Sequence, residues 1–135
     1  MKKMYPVVHF EMPAEDRQRM RDFYEKAFGW QTSQLGEEMG GYVTVMTTET
    51  GADMRPTTPG AINGGFFQKT KPTQYPSVVI AVDDVYQVMK EVEAAGGTIL
   101  GGMTPGKPDD LPGVGLYCSI VDTEGNRVGL LQPKR

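Results

Sequence analysis

The sequence is poor in several residues that would narrow its chemistry. Its 135 residues include one histidine, His9, and one cysteine, Cys118. A lone cysteine excludes an intramolecular disulfide and removes any demand for an oxidising compartment. A lone histidine excludes a metal centre built from several imidazoles of one chain. No stretch approaches the roughly 20 apolar residues that span a bilayer. The opening Met1-Lys2-Lys3-Met4-Tyr5 carries charge without the apolar run of a signal peptide, so a cytoplasmic protein with no membrane partner is expected. Charge of one sign is also scarce: 14 Lys and Arg stand against 17 Asp and Glu, a net −3. Without a basic cluster there is no electrostatic footprint for nucleic acid.

What is present suits a folded domain. Hydrophobic residues make up 39% of the chain and charged residues 23%. The apolar positions run along its whole length, so residues 1–135 are expected to form a single domain without room for two independent cores. Tyr5 to Met12 reads as a strand. Val8, Phe10 and Met12 alternate on an apolar face, and Val7, His9 and Glu11 on a mixed one. Pro13 is expected to end this strand and open a helix. Met20, Phe23, Tyr24, Ala27 and Phe28 then form one helical stripe, terminated by Gly29. Strands follow over 30–35, 41–48 and 61–68, the last weakened by Gly64 and Gly65, where a close backbone approach or a bulge is expected. The second half repeats the order: a strand from Ser77 to Val82, a helix on Val85, Val88, Met89, Val92 and Ala95, and strands over 98–103, 114–121 and 127–132. A loop is expected over 104–113.

The repeat has a fixed offset. Asp16 and Asp84, Met20 and Val88, Tyr24 and Val92, Ala27 and Ala95, and Gly29 and Gly97 are each 68 positions apart. The same step carries His9 to Ser77. A repeat of this length implies two equivalent units that bury their apolar faces together. The expected fold is α+β: two βαβββ modules, about 5–68 and 77–132, forming one cup-shaped mixed β-sheet with helices on the convex face. Strict alternation assigns Val8, Phe10, Val78, Ile80, Val82, Val128 and Leu130 to the helix-covered face. His9, Glu11, Ser77, Val79, Arg127, Gly129 and Leu131 fall on the opposite one, a mixture suited to binding a small organic molecule.

These pieces together resemble the vicinal-oxygen-chelate superfamily of glyoxalase I, extradiol dioxygenases, and bleomycin and fosfomycin resistance proteins. The matching segments are Val8-His9-Phe10, Phe23 to Trp30, Ile80 to Val85, Gly96-Gly97 and Asp122 to Asn126. The Phe28-Gly29-Trp30 corner is most similar to a lactoylglutathione lyase-like branch of unassigned activity. The resemblance implies a homodimer and, in metal-using relatives, ligands on the first and last strands of each half. His9 matches the first such position. Ser77 stands at the second half's histidine position and Gly129 at its final glutamate position, and no carboxylate lies around Ile62 to Gly65, where the first half's acid would fall.

Several functions are compatible with these residues. The first is a glyoxalase/bleomycin-resistance-like protein that binds a small, apolar or aromatic molecule without a complete metal site, through His9, Glu11, Ser77, Val79, Arg127 and Gly129. The second is a divalent-metal-dependent lyase, isomerase or dioxygenase, with His9 and Glu11 holding the ion and water or substrate completing the shell. The third is an accessory dimeric module. His9 has a structural alternative, a hydrogen bond within the fold, and Glu11 one in an ion pair with Arg127. Cys118 reads as a buried small residue, since the only base for a thiolate nucleophile would be His9. Trp30 and Tyr24 read as packing.

Overall fold

The structure is a computed structural model that describes residues 2–134. The chain runs β1 (Val7–Ala14), α1 (Arg17–Phe28), β2 (Gln31–Gln34), a 3-10 turn (Glu37–Met39), β3 (Val43–Met46), β4 (Asn63–Gln68), β5 (Ser77–Ala81), α2 (Val85–Ala94), β6 (Thr98–Gly101), β7 (Asp109–Leu111), β8 (Gly115–Val121) and β9 (Arg127–Pro133). It divides into two compact units. One is His9–Pro76; the other joins the residues up to Val8 to those from Ser77 onward. The class is α+β.

In the N-terminal unit the strands lie in the order β2, β3, β4, β1, with β1 parallel to β4 and the other pairs antiparallel. Helix α1 begins where the Asp16 side chain accepts from the Arg19 N–H and ends at Gly29 in the left-handed conformation, φ 72°. It lies over β2 and β4. Ala14, Val43, Val45 and Phe66 form the buried core, with Phe10, Met12, Met20, Tyr24 and Trp30 packed against it. The Tyr24 and Trp30 rings stack 4.6 Å apart. The expected helical stripe is only half used. Met20 and Tyr24 reach the core, whereas Phe23 and Phe28 are 57% and 62% exposed.

One local expectation is corrected and another is narrowed to one of its alternatives. Pro13 lies inside β1 opposite Phe67 and does not open the helix. The Ala14 carbonyl accepts from the Lys69 N–H, so Ala14 and Met12 turn their backbone groups toward β4. Pro13, one residue out of phase, turns its nitrogen away, and its missing N–H costs that ladder nothing. Gly64 and Gly65 are sites of the expected close approach to the backbone and not of its alternative, a bulge, since the β1–β4 register is continuous from His9–Asn63 to Ala14–Gln68. The reason for them is space: Phe10 crowds the position of a Cβ at Gly64, and Tyr42 that at Gly65.

In the other unit the order is β5, β9, β8, β6, with β5 parallel to β9 and β7 also paired to β8. Strand β7 falls inside the expected 104–113 loop; three residues among Pro and Gly are too few to show a period. The Asp84 carboxylate caps α2 by accepting from the Tyr86 and Gln87 N–H groups. This helix lies over β6, β8 and β9. Val82, Val85, Val88, Cys118, Ile120 and Leu130 are buried beneath it, so Cys118 is a core residue. Helix α2 makes no comparable contact with β5, which leaves Val78 38% exposed on the face where cover was expected. The first residues of the chain belong here for physical reasons: Tyr5 packs on this core, the Ala81 N–H donates to the Pro6 carbonyl, and Lys2 and Lys3 pair with Glu91 and Asp83.

Candidate functional site

Each unit carries a polar constellation on the sheet face opposite its helix. In the N-terminal unit, Phe10 and Met12 take the core side of β1, so His9 and Glu11 take the other. Across the parallel pairing His9 lies opposite Asn63 and Glu11 opposite Gly65. Tyr42, just ahead of β3, alternates with the buried Val43 and so shares this face. Its ring lies over Gly65, where a Cβ would meet both the hydroxyl and the ring. The Tyr42 hydroxyl is 3.2 Å from His9 Nε2 and 3.4 Å from Glu11 Oε2. All three side chains are half-buried. Burial pushes the His9 pKa below its ordinary value of 6.5, leaving the ring neutral at pH 7. Asn63 anchors the neighbouring loop: its Oδ1 accepts from the Thr47 N–H at 2.9 Å and its Nδ2 donates to Thr50 at 2.9 Å.

The C-terminal unit repeats the motif with different partners. The Tyr117 ring lies over Gly129, whose Cβ position it crowds. Ser119, 2% exposed, donates from its hydroxyl to Tyr117 at 3.4 Å and accepts from Arg127 Nη2 at 3.2 Å. The registers show the equivalence. Thr44 faces Gly65 and Ser119 faces Gly129. In each unit the tyrosine precedes that residue by two positions.

The candidate residues therefore divide. His9 and Glu11 come together through Tyr42. Arg127 is exposed and reaches Ser119, and Ser77 is half-buried at the start of β5. Val79 is only 2% exposed and pairs with Gly129, itself buried. Tyr42, Tyr117 and Ser119 were missed. A signal for them exists in the parallel strings Tyr42-Val43-Thr44-Val45 and Tyr117-Cys118-Ser119-Ile120, but their spacing is 75 rather than 68, because the loops before them differ in length. A separate cavity of about 500 Å³, lined by residues including Gln31, Thr47, Thr48, Glu49 and Thr57, contains none of the candidates.

A mid-row divalent ion does not fit the side chains present. Ions such as Zn²⁺ take three or four N, O or S ligands from the protein. His9 and Glu11 offer two, and among the described residues no three His, Cys, Asp or Glu side chains come together. Gly129 stands where the resemblance places the final glutamate, no carboxylate lies around Ile62 to Gly65, and tyrosine rings crowd Gly65 and Gly129.

The family model described as Glyoxalase/Bleomycin resistance protein/Dioxygenase superfamily matches residues 7–130. The chain belongs to this superfamily. No curated protein matches it in sequence. Among solved structures, it is similar to a Streptomyces coelicolor methylmalonyl-CoA epimerase variant in complex with 2-nitronate-propionyl-CoA, at 14% identity and TM-score 0.68 over 98% of this chain and 100% of that one. A hypothetical protein from Bacillus halodurans C-125 aligns at 9% identity and TM-score 0.68, covering 98% and 97%. The methylmalonyl-CoA epimerase of Mycobacterium tuberculosis aligns at 12% identity and TM-score 0.63, covering 96% and 88%. At these identities the likeness is one of fold, and a glyoxalase-superfamily fold hosts many chemistries.

Proposed function

We propose that this glyoxalase-superfamily protein binds a small organic molecule on the sheet face that carries His9, Glu11 and Tyr42, without a complete metal site. The observation that carries the reading is the half-buried His9, hydrogen-bonded to a tyrosine that is itself bonded to a carboxylate. A neutral imidazole, a hydroxyl and an acid beside the flat ring of Tyr42 suit a ligand with an apolar or aromatic body and one polar edge. The donor set supports binding through hydrogen bonds and ring contact over ion coordination. Similar folds are known in complex with organic ligands, such as 2-nitronate-propionyl-CoA.

A thermal-shift screen of aromatic metabolites, antibiotics and acyl-CoA thioesters, followed by calorimetry of the hits, tests the proposal. Binding is expected in metal-free buffer, unchanged by added Mg²⁺, Mn²⁺ or Zn²⁺, and at least tenfold weaker in the His9→Ala variant. A screen without hits, or hits indifferent to His9→Ala, would overturn it.

A further inference from the structure

We propose that Tyr42 is a positioning residue that sets which nitrogen of His9 meets the ligand: its hydroxyl donates to Glu11 and accepts from the Nε2–H, so that Nδ1 presents its lone pair to an acidic O–H or N–H. The ligand class is then a weakly acidic donor, such as a phenol, an enol or an imide. This deepens the binding reading above and rests on it for the ligand.

The argument is one of donor and acceptor inventory. A tyrosine hydroxyl has one proton and a carboxylate oxygen offers only acceptor sites. Tyr42 stands between Glu11 Oε2 at 3.4 Å and His9 Nε2 at 3.2 Å. If its proton went to His9, hydroxyl lone pairs would face the carboxylate, acceptor against acceptor. With the proton toward Glu11, the oxygen receives the Nε2–H and both of these contacts join a donor to an acceptor. Burial keeps the imidazole neutral, so a single ring proton remains to be placed and Nδ1 is an acceptor. Gly65 completes the device. Its missing side chain leaves room for the Tyr42 ring over β4, which holds the hydroxyl between Glu11 Oε2 and His9 Nε2.

Because His9 is the only histidine, nitrogen-15 NMR of the full chain labelled at histidine reports this ring alone. The wild type at pH 7 is expected to show a pyrrole-type Nε2 with a directly detectable, exchange-protected proton, and a pyridine-type Nδ1. In Tyr42→Phe, which keeps the ring on Gly65, protection of the Nε2–H should fall at least tenfold. In Glu11→Gln, whose amide can donate to Tyr42 and release its proton toward His9, the Nδ1–H tautomer should grow. A titration with 4-nitrophenol as probe should move the wild-type Nδ1 signal saturably, with at least tenfold weaker binding to Tyr42→Phe. An Nδ1–H tautomer in the wild type, or ring signals that neither variant changes, would overturn the relay and leave the binding proposal standing. A correct relay whose Nδ1 ignores 4-nitrophenol would overturn the ligand class. Should Tyr42→Phe fail to fold, the wild-type spectrum and Glu11→Gln decide alone.

Discussion

The contact between Tyr42 and Gly65 yields the sharpest stability prediction. Glycine within a strand ordinarily costs about 0.5–1 kcal/mol relative to alanine, so Gly65→Ala taken by itself should stabilise β4. Here the new Cβ would overlap the Tyr42 hydroxyl and ring. Overpacking of this kind costs about 1–3 kcal/mol. If the ring swings away instead, it gives up its bonds to His9 and Glu11, each worth about 0.5–1.5 kcal/mol. Both routes destabilise, so the sign of the substitution should reverse. In a Tyr42→Ser background the obstacle is gone and the ordinary stabilisation should return. The two backgrounds should thus differ by about 2–3 kcal/mol, at the upper end for residues in direct contact. Urea unfolding of the wild type, both single variants and the double variant measures this coupling, with midpoints compared at constant slope. A midpoint that rises for Gly65→Ala in the wild-type background, or changes equally in both backgrounds, would refute the reasoning.

Three further outcomes follow from the geometry. The His9 pKa is lowered in the folded chain, so below its ordinary value of 6.5 the unfolded state binds the extra proton. Stability should therefore be fully present above about pH 6.5 and fall as pH drops toward the depressed folded value, a loss that His9→Gln removes; urea midpoints from pH 7.5 to 5 read it. Cys118 is fully buried and its thiol is pushed up chiefly by that burial, so a disulfide reagent should label it only as fast as the chain opens; rapid labelling in native buffer would contradict this. Asp84→Ala removes the acceptor for two N–H groups at the start of α2 and should cost about 1 kcal/mol in chemical denaturation, whereas Asp84→Asn should recover most of it.

Much of the architecture was legible because it depends on neighbours along the chain. The helices follow from apolar spacing at three and four residues, with Gly29 ending α1 as expected and Asp16 and Asp84 capping the two starts. The faces of β1 follow from simple alternation, which put Phe10 and Met12 in the core and His9 and Glu11 opposite. The failures came where a long-range partner decides the outcome. Pro13 fits a strand because of the phase of its pairing, β7 exists because β8 lies beside it, and Val78 stays open because α2 lies chiefly over β6, β8 and β9.

The candidate site divides in the same way. His9, Glu11 and Arg127 stood out as charged or titratable residues at alternating positions, and the 68-residue step paired His9 with Ser77; that this pairing leaves a ligand set depleted is what the family resemblance implied. Local spacing and that resemblance determined this much. Tertiary structure alone brought Tyr42 onto Gly65 and Tyr117 onto Gly129, joined His9 to Glu11 through one hydroxyl, and buried Val79. The physical reason is that a side chain's direction is set along its own strand, whereas its partner comes from another strand, across loops whose lengths follow no repeat.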